Sequence, residues 1–376
     1  MTTEKAALVL TGGGARAAYQ VGVLNAIREL WGRRPGNPFP ILCGTSAGGI
    51  NVASLAVYSD NFPMAVRKMS YIWRNFHVDQ VYRTDFPALA GTGARWGSAL
   101  LTGWLYRQTP RSLLDNAPLA RLLESVLDFS AIGRAIRDGH LHAVSVSASG
   151  YTSGESLAFF QAADGVLPWR RAQRLGVRTE LSVPHLMASS AIPFVFPAVR
   201  IHREYFGDGS MRQLAPISPA VHLGADRILV IGSGRLEEEG RQQGHTYPSL
   251  AQIAGHAMSS IFLDSLAVDL ERLERINTTL GAFTAEQRQA AGLTLRPIET
   301  LVIAPSRRID AIAGQHRHSL PPLLRAVLRG VGAMRPSGST LLSYLLFEPA
   351  FTRALIALGY EDTMARRQAV VDFLRL

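Results

Sequence analysis

A serine with glycine two places away on either side, Gly44-Thr45-Ser46-Ala47-Gly48, follows the short apolar run Ile41-Leu42-Cys43 and leads into an apolar, helix-like stretch. This is the local pattern a nucleophilic serine requires. At the tip of a sharp strand-to-helix turn the serine backbone is strained, and its neighbours two places away must lack bulk, a need that Gly44 and Gly48 meet. A helix starting near Gly48 also points free N–H groups at the serine and favours negative charge there. The same pentapeptide suits an ordinary βα turn with a solvated serine, so the choice depends on partners elsewhere in the chain. The single cysteine, Cys43, excludes an intramolecular disulfide and a cysteine zinc site. Strand alternation turns it away from the serine.

The first candidate partner is Thr11-Gly12-Gly13-Gly14-Ala15-Arg16-Ala17, set between the strand-like run Ala6–Leu10 and a helix whose apolar positions Ala18, Val21, Leu24, Ile27 and Trp31 recur every three to four residues. Backbone N–H groups in such a loop can cradle an anion. Three readings compete. Gly12-x-Gly14-x-x-Ala17 fits the dinucleotide fingerprint in form, but Gly44 stands where that fold wants an acidic residue. A phosphate-binding P-loop needs a Gly-Lys-Ser/Thr ending, which is absent. An oxyanion hole needs donors beside the carbonyl that the serine attacks. Two adjacent βα units ending in glycine-rich turns bring both turns to one edge of a parallel sheet, as that third reading requires.

The second candidate partner is Asp208, in the run Tyr205-Phe206-Gly207-Asp208-Gly209-Ser210, which reads as a tight turn ahead of a helix near Pro216–Leu223 and a buried strand at Arg227–Ile231. His140 and His142 read as sharing one face of a strand that runs to Ser147. They lack a third metal ligand, so no metal site is expected.

The elements that hold these residues are those of an α/β chain. Strands are expected at 6–10, 41–43, 140–147, 156–161, 227–231 and 300–305, with helices between them, and the last clear strand is followed by helical stretches only. Residues 79–114 scatter Pro and Gly among Tyr82, Phe86, Trp96, Trp104 and Tyr106 and read as a mobile cover or a packed loop. The helical stretches after residue 305 carry Arg307, Arg308, Arg317, Arg325, Arg329 and Arg335 amid leucines, which suits an interfacial surface or a packed subdomain.

The 376 residues are 47% hydrophobic and 18% charged, with a net charge of +10 supplied almost wholly by arginine. That sign favours an anionic bilayer surface, and no nucleic-acid motif claims it. No run reaches the roughly 18 uncharged apolar residues of a spanning helix, the nearest, Leu341–Leu358, being broken by Glu348, Pro349 and Arg353, and the N-terminus is too short and too acidic for a signal peptide, so a cytoplasmic or peripheral membrane location is expected.

With these pieces placed, the sequence resembles the patatin-like phospholipase family, in particular its bacterial members. Four blocks carry the likeness: Leu10–Arg16 running into Tyr19-Gln20-Val21-Gly22-Val23-Leu24; Gly44–Gly49; Ala188-Ser189-Ser190-Ala191-Ile192-Pro193; and Gly207-Asp208-Gly209. The resemblance implies a three-layer α/β/α fold with a mostly parallel central sheet, a catalytic region over 6–234, and a C-terminal helical region over 235–376 packed on it or continuing it. It implies a Ser46–Asp208 dyad, an oxyanion hole at Gly12, Gly13, Gly14 and Arg16, no cofactor, and a lipid or phospholipid substrate. Two positions depart from the family pattern: Ala17 replaces a glycine, and Ser210 stands where glycine or alanine is usual and can reach the carboxylate. The expected activity is a lipid acyl hydrolase working through an acyl-serine. The alternatives are a triad hydrolase with His256, His316 or His318 as base, and a catalytically idle lipid-binding or scaffold protein.

Overall fold

The computed structural model describes residues 4–85, 112–235, 247–293 and 295–376. Most of the segment expected to form a cover, residues 86–111, lies outside them. At its start Tyr82 is fully buried and its hydroxyl donates to Leu345 O at 2.9 Å.

The sheet begins with three short apolar strands, β1 (Ala6–Leu10), β2 (Ile41–Thr45) and β3 (Ala143–Gly150), every residue of which is buried. Such continuous apolar runs belong to parallel strands covered on both faces. The remaining strands are β4 (Ser156–Ala162), β5 (Trp169–Arg171), β6 (Arg174–Arg178), β7 (Val199–Ile201), β8 (Glu204–Asp208), β9 (Arg227–Ile231) and β10 (Glu299–Ile303). Strands β10, β9, β1, β2 and β3 lie side by side and parallel. Beyond them β4 pairs antiparallel with β3, and β6 and β5 complete that edge.

The helices are α1 (Ala18–Trp31), α2 (Ala47–Val57), α3 (Phe62–Arg74), α4 (Ala117–Val126), α5 (Ser130–Arg137), α6 (Val183–Ser189), α7 (Ser218–His222), α8 (Leu250–Ser259), α9 (Ser265–Gly281), α10 (Ala285–Ala290), α11 (Ile309–Gln315), α12 (Pro322–Gly330), α13 (Ser339–Leu345), α14 (Pro349–Ala365) and α15 (Arg367–Leu374). The period of two along the strands divides them between two cores. Leu8, Leu10, Leu42 and Val144 pack with Leu24 of α1, Val52 of α2 and Leu355 of α14. Ala7, Val9, Ile41 and Cys43 pack on the opposite face with Ala220 of α7 and Leu266 of α9. Helices thus cover both faces of a mixed sheet, an α/β fold of three layers.

Two expectations need correction. Strand β3 starts at Ala143, so His140 and His142 precede it in a turn, where their N–H groups donate to Ala135 O and Pro40 O. Of the residues read as a tight turn around Asp208, Tyr205–Asp208 belong to strand β8, which pairs antiparallel with β3 through Ala148–Asp208, Ser149–Gly207 and Gly150–Phe206, and only Gly209 and Ser210 turn, opening a 3-10 turn that Asp208 caps. The aromatic residues of β8 mark it as a strand, but the glycine on each side of Asp208 reads locally as a turn.

Among the described residues, Leu250–Gly281 has the length and composition of a membrane-spanning helix. It is interrupted by a π-turn at Ser260–Asp264 and docked through Asp269, which accepts from Ile217 N–H at 3.0 Å.

Candidate active site

The parallel strands β1 and β2 end in Thr11-Gly12 and Thr45-Ser46, which places both turns on the carboxyl edge of the sheet. Ser46 sits at φ 55°, ψ −130° as the residue that caps α2. A β-carbon residue held there costs roughly 1–3 kcal/mol and persists only where its surroundings fix it. Three groups do so. The Ser46 N–H donates to Ser189 Oγ at 2.8 Å, and that hydroxyl donates to Ser147 O at 2.6 Å. The Ser46 carbonyl accepts from Gly49 N–H at 2.9 Å and Ile50 N–H at 3.3 Å.

The flanking glycines are there for space. A Cβ on Gly44 would lie 2.4 Å from Gly48 O, and one on Gly48 would lie 2.4 Å from Leu10 O and 2.6 Å from Thr11 O. All of these are backbone atoms that cannot swing aside.

Ser46 Oγ donates to Asp208 Oδ2 at 2.6 Å. Strand pairing explains the meeting. Strand β3 pairs with β2 as far as Ser147–Thr45, and from Ala148 onward the same edge is taken by β8, beginning at Asp208. The two strands abut end to end along β3, so the residue after Thr45 faces the last residue of β8. Asp208 is anchored by its own N–H to Ala191 O at 2.9 Å, and its Oδ1 accepts from Ser210 N–H at 2.9 Å. At the departure Ser210, the backbone thus supplies this contact to the carboxylate. Burial is complete and pushes the Asp208 carboxyl up to about 6, against the opposing pull of the hydrogen bonds from Ser46 and Ser210. Cys43 lies in the opposite core, where burial drives its thiol upward and keeps it neutral.

The glycine loop is held from both sides. Ser233 Oγ donates to Gly12 O, and Arg16 N–H donates to Gly13 O at 3.1 Å. Gly14 takes φ +53°, and a Cβ there would lie 2.4 Å from Tyr344 O. Among the described residues, the N–H groups of Gly12 and Gly13 carry no hydrogen bond, although both residues are buried. Bare N–H groups in such a loop can receive an anion or a developing oxyanion. Arg16 is buried and committed elsewhere: its Nε donates to Ser343 Oγ at 2.7 Å and its guanidinium lies 4.0 Å over the Tyr344 ring. It shapes the loop from behind. Ala17 is fully buried in the 3-10 turn Gly14–Ala17.

Ser46 and Gly14 border a narrow apolar cleft walled by Ile50, Met69, Trp73, Leu123, Ile192 and Phe196 among others. Its lining is what an acyl chain requires and a sugar or nucleotide does not. Of the three histidines considered as bases, none is bonded to Ser46 or Asp208 among the described residues. His256 and His318 are exposed, and His316 packs on Phe351. Sequence reasoning assigned no role to Ser189, Ser233 or Ser343, which steady the site from far along the chain, although Ser189 lies in a block that carries the family likeness.

The model of the patatin-like phospholipase family matches residues 8–221. A cGAMP-activated phospholipase of Pseudomonas aeruginosa is 28% identical over 209 residues, covering 56% of this chain and 53% of that protein. A triacylglycerol lipase of Schizosaccharomyces pombe is 26% identical over 197 residues, covering 52% of this chain and 34% of the lipase. The chain therefore spans about half, or less, of the length of these curated relatives. Among solved structures, VipD from Legionella pneumophila aligns over 97% of this chain and 67% of its own, at 12% identity and a TM-score of 0.41. Human GIVD cytosolic phospholipase A2 in complex with methyl gamma-linolenyl fluorophosphonate aligns over 99% and 59%, at 14% identity and a TM-score of 0.42. With the family model matched over more than half its length, the chain belongs to the patatin-like phospholipase family.

Proposed function

We propose that the protein is a serine acyl hydrolase that cleaves fatty acyl esters of phospholipids or related lipids, with Ser46 as nucleophile and Asp208 as its base. The observation that carries this reading is the 2.6 Å hydrogen bond from Ser46 Oγ to Asp208 Oδ2 beside the apolar cavity. Ser46 Oγ attacks the ester carbonyl carbon while its proton passes to Asp208. The carbonyl oxygen becomes an oxyanion facing the Gly12 and Gly13 N–H groups. Collapse of the tetrahedral intermediate breaks the ester bond, and Asp208 returns the proton to the departing alkoxide. Water then attacks the acyl-serine, giving a proton to Asp208; the bond between acyl carbon and Ser46 Oγ breaks, Asp208 returns that proton to Oγ, and the fatty acid leaves.

An aspartate near its ordinary pKa of about 4 is a weak base, so the upward push from burial matters, as does direct contact with the serine. A single oxyanion donor is worth on the order of a hundredfold or more in rate, which justifies a loop of bare N–H groups. Residues 235–376 complete the catalytic unit in this reading, since β10 extends the sheet and Ser343 supports Arg16.

The substrate resides in a bilayer, and contact with an anionic surface falls to the C-terminal helices. No carboxylate occurs between Asp310 and Glu348 or between Tyr247 and Asp264. In these stretches Leu250, Ile253, Val327 and Val331 are exposed, with Arg329 and Arg335 beside them, and Ala251 N–H joins Val331 O at 3.1 Å. Apolar residues interspersed with arginines that form no ion pair among the described residues suit an anionic interface. Arg329→Glu with Arg335→Glu is expected to abolish the preference for anionic over neutral vesicles while turnover of a water-soluble ester persists.

The test of the chemistry is covalent. A fluorophosphonate is expected to label wild type and not Ser46→Ala. Labelling that persists in Ser46→Ala contradicts the assignment.

A further inference from the structure

A chain of buried amides runs from the wall of the acyl cavity to the glycine loop. Trp73 Nε1 donates to Asn51 Oδ1 at 2.9 Å, Asn51 Nδ2 donates to Gln20 Oε1 at 2.9 Å, and Gln20 Nε2 donates to Thr11 O at 2.7 Å. Gln20, Asn51 and Trp73 are all buried, and Asn51 and Trp73 line the cavity beside Ser46. The direction of the chain is fixed by its ends. An indole N–H can only donate and a backbone carbonyl can only accept, so each amide between them has one orientation that satisfies both neighbours.

The last link bears on chemistry through peptide planarity. The Thr11 carbonyl and the Gly12 N–H belong to one rigid unit and point in opposite directions, so holding the carbonyl aims the N–H. Ser233 does the same for the next unit, since its hydroxyl holds Gly12 O and thereby aims Gly13 N–H. Among the described residues the N–H groups of Gly12 and Gly13, like that of Gly14, carry no hydrogen bond. A misaimed donor loses most of its value to an oxyanion, because hydrogen bonds weaken steeply with angle.

We infer that Gln20 is a positioning residue that aims the Gly12 N–H, and that Asn51 and Trp73 tie this aim to the wall of the acyl cavity. A long acyl chain seated against Trp73 holds the indole, and with it the amide chain and the loop, in the geometry that receives the oxyanion. A chain too short to touch Trp73 leaves the loop without that support. Selectivity for acyl length is therefore expressed in kcat as well as in KM. This rests on the reading of Ser46 as nucleophile and adds the means by which the cavity reports its occupancy.

The experiment measures kcat and KM of the full chain on a long-chain p-nitrophenyl ester for wild type, Gln20→Met, Trp73→Phe, the double variant and Gln20→Glu. Circular dichroism verifies folding. Gln20→Met is expected to lose about tenfold or more in kcat with KM changed by less than about twofold. The double variant loses no more than Gln20→Met alone, because one cut already breaks the chain. Gln20→Glu supplies a readout that a merely structural role does not move. Its protonated carboxyl donates to Thr11 O and its carboxylate cannot, so its kcat relative to wild type at the same pH rises as pH falls. Taking that ratio removes the titration of Asp208. Losses confined to KM, losses that multiply in the double variant, or a flat ratio for Gln20→Glu overturn the inference. If Gln20→Met does not fold, the Gln20→Glu ratio decides. A wild type that a fluorophosphonate does not label overturns the nucleophile assignment and this inference together, whereas a labelled wild type with an unimpaired Gln20→Met overturns the positioning role alone.

Discussion

Arg16 and Ser343, 327 positions apart, are joined by a buried 2.7 Å hydrogen bond from guanidinium Nε to hydroxyl. The glycine loop therefore leans on a helix from the far end of the chain. Ser343 Oγ in turn donates a hydrogen bond to Thr340 O at 2.6 Å, and the Tyr344 ring under the guanidinium stacks on Phe262 at 5.1 Å. Ser343→Ala leaves a buried cation short of an acceptor and is expected to cost about 1–3 kcal/mol of stability, read by denaturant unfolding, together with a fall in kcat. Arg16→Lys is expected to be as harmful, since an ammonium cannot stack flat on the ring. Full activity in both variants contradicts a supporting role for this contact.

The pH profile follows from Asp208. Its carboxyl, at about 6 in the fold, must be ionised to take the serine proton, so kcat/KM is expected to rise as pH increases through about 6 and then level off. A profile flat from pH 5 to 8 argues against a buried carboxylate base.

Stability moves in the opposite sense. The folded pKa lies above the unfolded value of about 4, so the folded state binds this proton more tightly. The stability it contributes is present below about pH 4 and is lost as pH rises through about 6. Asp208→Asn removes the charge that folding must desolvate. It is expected to raise the melting temperature above that of wild type at pH 8, with the difference closing at pH 4, while activity is lost.

Gly48→Ala drives a methyl group into the Leu10 and Thr11 carbonyls. Overpacking of this kind costs roughly 1–3 kcal/mol, and the turn that presents Ser46 shifts with it. The expected result is a lower melting temperature and slower labelling of Ser46 by a fluorophosphonate.

Leu123 lines the acyl cavity from α4. Leu123→Trp takes up space that a long chain would occupy, so the preferred ester shifts to shorter acyl groups across a series of p-nitrophenyl esters. An unchanged profile places the acyl chain elsewhere.

How much of this was legible in the sequence depends on distance along the chain. The elbow at Ser46 and the loop at Gly12–Gly14 each follow directly from a strand that pairs with its neighbour in register, Leu10 opposite Gly44, so local spacing was enough to bring them to one edge. Asp208 stood out as a candidate by its place ahead of a helix and a buried strand, became a base only through the family pattern, and sat in a setting that was misread in part. Nothing local reveals that β8 takes over the β3 edge where β2 stops, because that pairing joins residues 60 apart. Ser233 left no signal, and Gln20 and Ser189, although they lie in blocks that carry the family likeness, gave no sign of what they hold. A hydroxyl or amide that serves a distant backbone atom follows no periodicity, and its role appears only once the chain has folded.

The central claim is that Ser46 carries the acyl group. The most direct measurement is release of fatty acid from a panel of phospholipids, neutral lipids and short esters by wild type and Ser46→Ala. The account predicts release by wild type from at least one long-chain lipid ester and none above background from Ser46→Ala of equal folding. Equal release by the two proteins, or vesicle binding by wild type with no release from any ester, contradicts it.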